Sequence, residues 1–245
     1  MTASRTLRRL AYQAAGGLRR LTGGRADIDY RRWYSIWNLQ RDYWTIVGPA
    51  TKEEYERLGR VKLQLLIDLG LAPESRVLDV GCGTGLLAAA LHDFLNERGQ
   101  YVGTDISQEA VAFCRSRFPR PNFSFRVSEM TKLPGLRERF DFIVFFSVFT
   151  HTYPRETALL LDQAGRLLAD GGVIFADVFT APLIDEHAGD RGAVEINPDH
   201  LMRLLDGSGL DAELIDTQPR PRLGQRLFYT FTRASRAKPI TSARN

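Results

Sequence analysis

The 245-residue sequence predicts an α/β fold: a seven-stranded, mainly parallel sheet with helices on both faces and an antiparallel C-terminal strand. Three observations carry that prediction. Apolar, strand-like runs at 76–80, 101–105, 123–127, 140–148, 172–179, 211–217 and 225–233 are mostly separated by helical stretches at 84–96, 107–117, 155–169 and 198–207. The last two runs are joined only by "PRPRLG", too short for a crossover helix, so that pair must be antiparallel. Between the first run and the first of these helices lies a glycine-rich turn, within "RVLDVGCGTGLLAAAL" at 76–91.

Taken in order, the chain divides into an N-terminal extension over 1–50, the domain of alternating elements over 51–235, and a basic tail over 236–245. Residues 1–26 carry six arginines and residues 217–245 seven Lys or Arg, whereas every acid lies between Asp27 and Asp216. At about 100° per residue, Leu7, Leu10, Ala14, Leu18 and Leu21 share one arc opposite Arg5, Arg8, Arg9, Arg19 and Arg20. Such a basic amphipathic segment suits peripheral contact with an anionic membrane, a transit peptide, or packing onto the body. Nucleic acid is disfavoured as a partner, because the acidic body repels phosphates. Hydrophobic content of 44% and charged content of 25% are ordinary for a globular protein, and no apolar run approaches the roughly 20 residues of a membrane span. Cys82 and Cys114 form no disulfide or ligand pattern, which fits a cytoplasmic setting. Oligomeric state has no signature.

An aromatic stretch follows, with Trp33, Trp37, Tyr43 and Trp44 in "DYRRWYSIWNLQRDYW". Thr51 and Glu54 read as a capping box that opens a helix ending at Gly70. The glycine turn comes next. Glycine is costly to order and belongs where φ must be positive or where something approaches the backbone closely. In an open parallel sheet that something is a ligand beyond the carboxyl ends of the strands, facing the N-terminal amides of the following helix.

A dinucleotide fingerprint needs a third glycine where Leu86 stands. The spacing is instead Asp79-x-Gly81-x-Gly83-x-Gly85, and "VLDVGCGTG" resembles the first motif of the Rossmann-like, class I S-adenosylmethionine (SAM) methyltransferases. The resemblance spans about residues 52 to 233 and implies a three-layer Rossmann-like sandwich with SAM as methyl donor. It implies that the loop Gly81, Cys82, Gly83, Gly85 passes under the methionine part and that Asp79 helps hold its ammonium. Asp105, about 20 residues on, is placed to accept from a ribose diol. By resemblance Ile106 lies against adenine, Glu129 takes the adenine amino group, and the Met130 amide serves a ring nitrogen; Ser147 joins this cofactor-binding set.

The transferred methyl is expected near "FDFIVFFSVFTHTYP". That segment has no Asn/Asp-Pro-Pro-Tyr/Phe motif, no Pro-Cys nucleophile and no terminal carboxylate, which argues against adenine or glutamine amino-methylation, pyrimidine C5 attack and magnesium-dependent catechol chemistry. No metal is expected. His151 remains as the candidate base, its imidazole suited to deprotonating a hydroxyl, with capping of the next helix or lining of the SAM pocket as the alternative roles. Trp33, Trp37, Tyr43, Trp44, Tyr153 and Asp177 are candidates for a lid or acceptor wall, while Asp177, Asp185, Glu186 and His187 read more simply as solvated surface. The reading is a SAM-dependent methyltransferase acting on a hydroxyl or amine of a small molecule, including one attached to a glycan or lipid. The alternatives are an RNA or protein methyltransferase, or a SAM-binding regulatory protein without turnover.

Overall fold

The computed structural model describes residues 29–181, 183–220 and 224–234. The basic segment 1–26 and the tail 236–245 lie outside the described residues. Short helices α1 (Tyr30–Trp33) and α2 (Leu39–Ile46), with a 3-10 turn between them, precede α3 (Lys52–Asp68). Thr51 Oγ1 accepts from the Glu54 amide at 3.1 Å, while the Glu54 carboxylate reaches back to the Ala50 amide rather than to that of Thr51.

The alternating elements follow: β1 (Arg76–Val80), α4 (Leu86–Phe94), β2 (Gln100–Asp105), α5 (Gln108–Arg117), β3 (Phe123–Val127), β4 (Phe140–Phe145), α6 (Pro154–Leu167) and β5 (Leu168–Thr180). Then come β6 (His187–Ala188), β7 (Glu195–Ile196), α7 (Pro198–Leu205), β8 (Leu210–Pro219) and β9 (Gln225–Arg233). The seven long strands run in the order β3-β2-β1-β4-β5-β9-β8, and β9 is antiparallel to both of its neighbours. That is the predicted sheet.

Two details depart from the sequence expectation. The fourth strand stops at Phe145 rather than 148, because Ser147 adopts φ 59 and cannot continue an extended ladder. The long connection after β5 contains the two-residue strands β6 and β7. Glu195 pairs with Phe179 along the edge of β5 that β4 leaves after Ala176. The connection therefore folds back over the ends of the strands.

Strand side chains alternate between two apolar cores. Val77, Tyr101, Phe142, Val144 and Phe175 enter one; Leu78, Val102, Ile143, Phe145 and Ile174 enter the other. A sheet covered on both faces needs near-continuous apolar strands, which explains runs such as "FIVFF". Asp141 at the far end of β4 holds the Arg76 backbone amide and guanidinium, a structural role. Asn197 caps α7 by accepting from the His200 amide.

Candidate functional site

Beyond the carboxyl ends of β1, β2, β3 and β4 lies a cavity of about 400 Å³. Its floor is the glycine loop. Gly81, Gly83 and Gly85 take φ of 76, 55 and 80, the left-handed region that favours glycine. The close approach at Gly83 comes from the N-terminal segment, since an added Cβ would stand 2.9 Å from Val47 and 3.1 Å from the Tyr34 hydroxyl. Tyr55 Oη donates to Thr84 O at 3.0 Å, and Thr84 Oγ1 donates to Tyr43 O at 2.9 Å. The helices before the sheet are thereby bolted to the loop.

Asp79, Gly81, Cys82, Gly83, Asp105, Ile106, Glu129, Met130, Ser147, His151 and Trp33 all border the cavity. Six other candidates stand away from its wall. Gly85 is the N-cap of α4, and any side chain there would overlap the Phe118 ring. Trp37 is buried with Tyr34, Ile46 and Ala110. Tyr43 packs on Tyr55, and Trp44 meets Tyr43 edge-on at 5.0 Å. Tyr153 is the N-cap of α6, its ring 5.3 Å from His187 and under the Arg191 guanidinium at 4.7 Å. Asp177 is fully buried rather than solvated, accepting from the Ser147 amide at 2.8 Å and from Arg226 Nε at 2.9 Å. Asp185 and Glu186 are exposed, as surface acids should be.

The charges of the cavity are specific. Asp79 is 3% exposed and accepts from the Tyr101 hydroxyl at 2.7 Å. Burial raises its carboxyl to about 6, against the opposing pull of Tyr101 and Lys62. Asp105 accepts from the Gly83 and Ser107 amides at 2.9 Å each; burial nevertheless moves its carboxyl above the usual range. A carboxylate has about four lone-pair positions, so capacity remains for a diol. The loop amides are otherwise engaged: Gly81 and Cys82 donate to Thr104 O, and Gly85 to Cys82 O.

Lys62 supplies the positive charge instead. Sequence reasoning passed over it, although it lies with Tyr55, Gly59 and Leu66 on the inward stripe of α3, where a lysine is out of place. Its ammonium stands 4.5 Å from the centre of the Phe146 ring at the cavity wall. Burial lowers its pKa, while Asp79 and Asp177 oppose that shift.

His151 is held by the long connection. Its Nδ1 lies 2.8 Å from Arg191 O, so the neutral ring donates from Nδ1 and carries its lone pair on Nε2. Burial depresses its pKa, and the carbonyl contact partly restores it. Arg191 itself is fixed to α6 by an ion pair with Glu156 at 2.6 Å. The cap of α6 is Tyr153, so His151 does not serve there.

A family model described as a methyltransferase domain matches residues 77–172. The chain is 26% identical over 160 residues to a protein of Thermoplasma acidophilum named as a cobalt-precorrin-6B C(15)-methyltransferase, covering 63% of this chain and 74% of that one. It is 26% identical over 201 residues to the O-methyltransferase cnsE of Penicillium expansum, covering 77% and 71%. Among solved structures, the CcbJ methyltransferase from Streptomyces caelestis superposes with a TM-score of 0.59 at 16% identity, over 85% of this chain and all of that one. A glycopeptide N-methyltransferase, MtfA, complexed with SAM matches with a TM-score of 0.53 at 14% identity, over 71% and 87%.

Proposed function

We propose that the chain is a class I SAM-dependent methyltransferase, a reading supported by the methyltransferase-domain match over 77–172 and by the fold, and that it methylates a hydroxyl or amine of a small molecule, with His151 as the base. The observation that carries this reading is the charge pattern around the loop: two buried carboxylates, one inward lysine and a backbone bared of side chains. These groups fit the donor's own chemistry. Asp79 answers its ammonium, Lys62 its carboxylate, and Asp105 its ribose diol. Ile106 and Met130 offer apolar contact to adenine, with Glu129 beside them for the amino group. When bound, SAM supplies an electrophilic methyl on a sulfonium.

The residues of the chain have three tasks in such a transfer. Trp33, Val47 and Phe146 exclude water from the region of the sulfonium. The Ser147–Thr152 turn positions the acceptor for in-line attack, where orientation does most of the work. Nε2 of His151 would take the proton from the acceptor's O–H or N–H, leaving that bond's electrons on the acceptor atom, whose lone pair bonds to the methyl carbon as the carbon–sulfur bond breaks to give S-adenosylhomocysteine. A base held below its usual pKa is neutral, and so competent, at neutral pH.

The test is transfer of labelled methyl from SAM into heat-treated cell extract. We expect label in the small-molecule fraction and heat released on titration with S-adenosylhomocysteine (SAH). Binding of SAH with no label transferred to any fraction would leave only a regulatory role, and label in RNA or protein would change the substrate class. Among the described residues no helix is long and apolar enough to cross a membrane. A glycan- or lipid-linked acceptor, reached through the basic segment 1–26, is part of this proposal. Sedimentation with anionic liposomes should then drop when that segment is removed.

A further inference from the structure

Ser147 is a strained residue in an expensive setting. Apart from glycines, only it and Leu183 take positive φ among the described residues, and it does so where β4 gives way to the turn that carries His151. Strain of this kind persists only where surrounding bonds over-determine it. Here a closed ring of three bonds does so. Asp177 Oδ1 accepts from the Ser147 amide at 2.8 Å, Asp177 Oδ2 accepts from Arg226 Nε at 2.9 Å, and Arg226 Nη2 donates to Ser147 Oγ at 2.8 Å. The members come from the ends of three strands, β4, β5 and β9.

The direction of these bonds decides what Ser147 can still do. Arg226 has only donors to offer, so Ser147 Oγ must accept from it. The hydroxyl keeps its own proton, and a hydroxyl that accepts from a cation is a stronger donor. Ser147 borders the cavity, and no second partner for Oγ is found among the described residues. The neighbouring Val148 abuts Gly81, where an added Cβ would stand 2.6 Å from it, so the turn adjoins the donor loop directly. The Ser147 carbonyl accepts from Thr150 Oγ1 and the Val148 carbonyl from the His151 amide, which ties the base to the same turn.

We propose that Arg226 and Asp177 are positioning residues that hold Ser147 so its hydroxyl donates to an oxygen of the methyl acceptor, beside the group that is methylated. This rests on the reading of the cavity as a methyl-transfer site and narrows it. The favoured acceptor is a small molecule with a carbonyl, ether or hydroxyl oxygen next to its nucleophilic O–H or N–H. An acceptor without that oxygen leaves the Ser147 proton unpaired and is discriminated against.

Ser147→Gly separates this role from a structural one, because glycine accepts the same backbone conformation and lacks only the hydroxyl. The probe is the extract fraction that takes label from SAM with the wild-type protein, titrated by dilution. We expect Ser147→Gly to keep its Tm and its SAH Kd within twofold while the apparent KM for that fraction rises about tenfold. Arg226→Gln should raise the same KM, yet add less than twofold when introduced into Ser147→Gly, since Arg226 acts through the serine. Arg226→Lys should not rescue, as an ammonium cannot reach both oxygens with the guanidinium's fixed fork. If Ser147→Gly retains the wild-type KM, or Arg226→Gln costs as much with glycine as with serine at 147, the inference is overturned. Absence of label with the wild-type protein would instead overturn the methyl-transfer reading.

Discussion

On the proposed function, the donor-facing and acceptor-facing halves of the cavity use the same strand ends but are built differently. On the donor side the contacts join neighbouring turns of one βαβ unit: Asp105 with the Gly83 amide, and Asp79 with the Tyr101 hydroxyl, both 22 residues apart. On the acceptor side they span the chain: His151 with Arg191 at 40 residues, Asp177 with Arg226 at 49, Ser147 with Arg226 at 79. The donor half is a backbone shape with two carboxylates set into it. Its acceptor counterpart is a set of side chains converging from β4, β5, β9 and a long connection. A common ligand can be met by a local motif, whereas a particular acceptor is met by parts that vary independently.

That contrast can be broken by separating the two functions. The largest effect is expected at His151. His151→Ala should lower kcat by about 10²–10⁴-fold while the SAH Kd stays within twofold. A matching loss of SAH affinity would show that the halves are not separable at this residue. Next comes Gly85, whose left-handed backbone and tight packing serve the fold of the glycine loop. Gly85→Ala forces a side chain into the left-handed region and into the Phe118 ring, at a cost of about 2–4 kcal/mol. Thermal unfolding should show a Tm lower by roughly 10 °C.

Donor binding should then carry its own pH signature. Burial raises the Asp79 carboxyl to about 6, and on the proposed function the ammonium of SAH needs the carboxylate. Affinity is therefore full above that pH and falls as pH decreases through it, approaching tenfold per unit. Calorimetry between pH 5 and 8 reads this directly. Tyr101→Phe removes a hydrogen bond to the ionised form and should move the midpoint up by about one unit. A midpoint that stays put would sever Asp79 from the ammonium. The smallest effect is expected at the opposite end of the sheet. Arg76 and Asp141 are both more than a third exposed, and Arg76→Ala should cost below about 1 kcal/mol, with no change in SAH Kd.

The legibility of the molecule follows the same division. The alternation of strands and helices, the antiparallel last strand, the cap at Thr51 and the loop at Gly81–Gly85 were readable because each depends on residues within one turn or one crossover. Lys62 was readable in principle, as a lysine on an inward helical stripe, but only once Tyr55, Gly59 and Leu66 are known to face inward. Nothing local marks Arg226 or Arg191, and Asp177 reads as a surface acid until β9 is seen beside β5. Tyr153 and Trp37 look like cavity aromatics by position, yet their rings are drawn into other contacts.

The sequence by itself determined the order of the elements, the parallel sheet and the bare glycine loop at the strand ends. These follow from backbone preference and apolar periodicity, which act over a few residues. Only the tertiary structure decided that Lys62 faces the cavity, that Arg191 sets the tautomer of His151, and that Asp177 and Arg226 close on Ser147. Pairings across 40 to 79 residues depend on which strand ends become neighbours, and burial then turns an ordinary acid or base into one with a fixed partner.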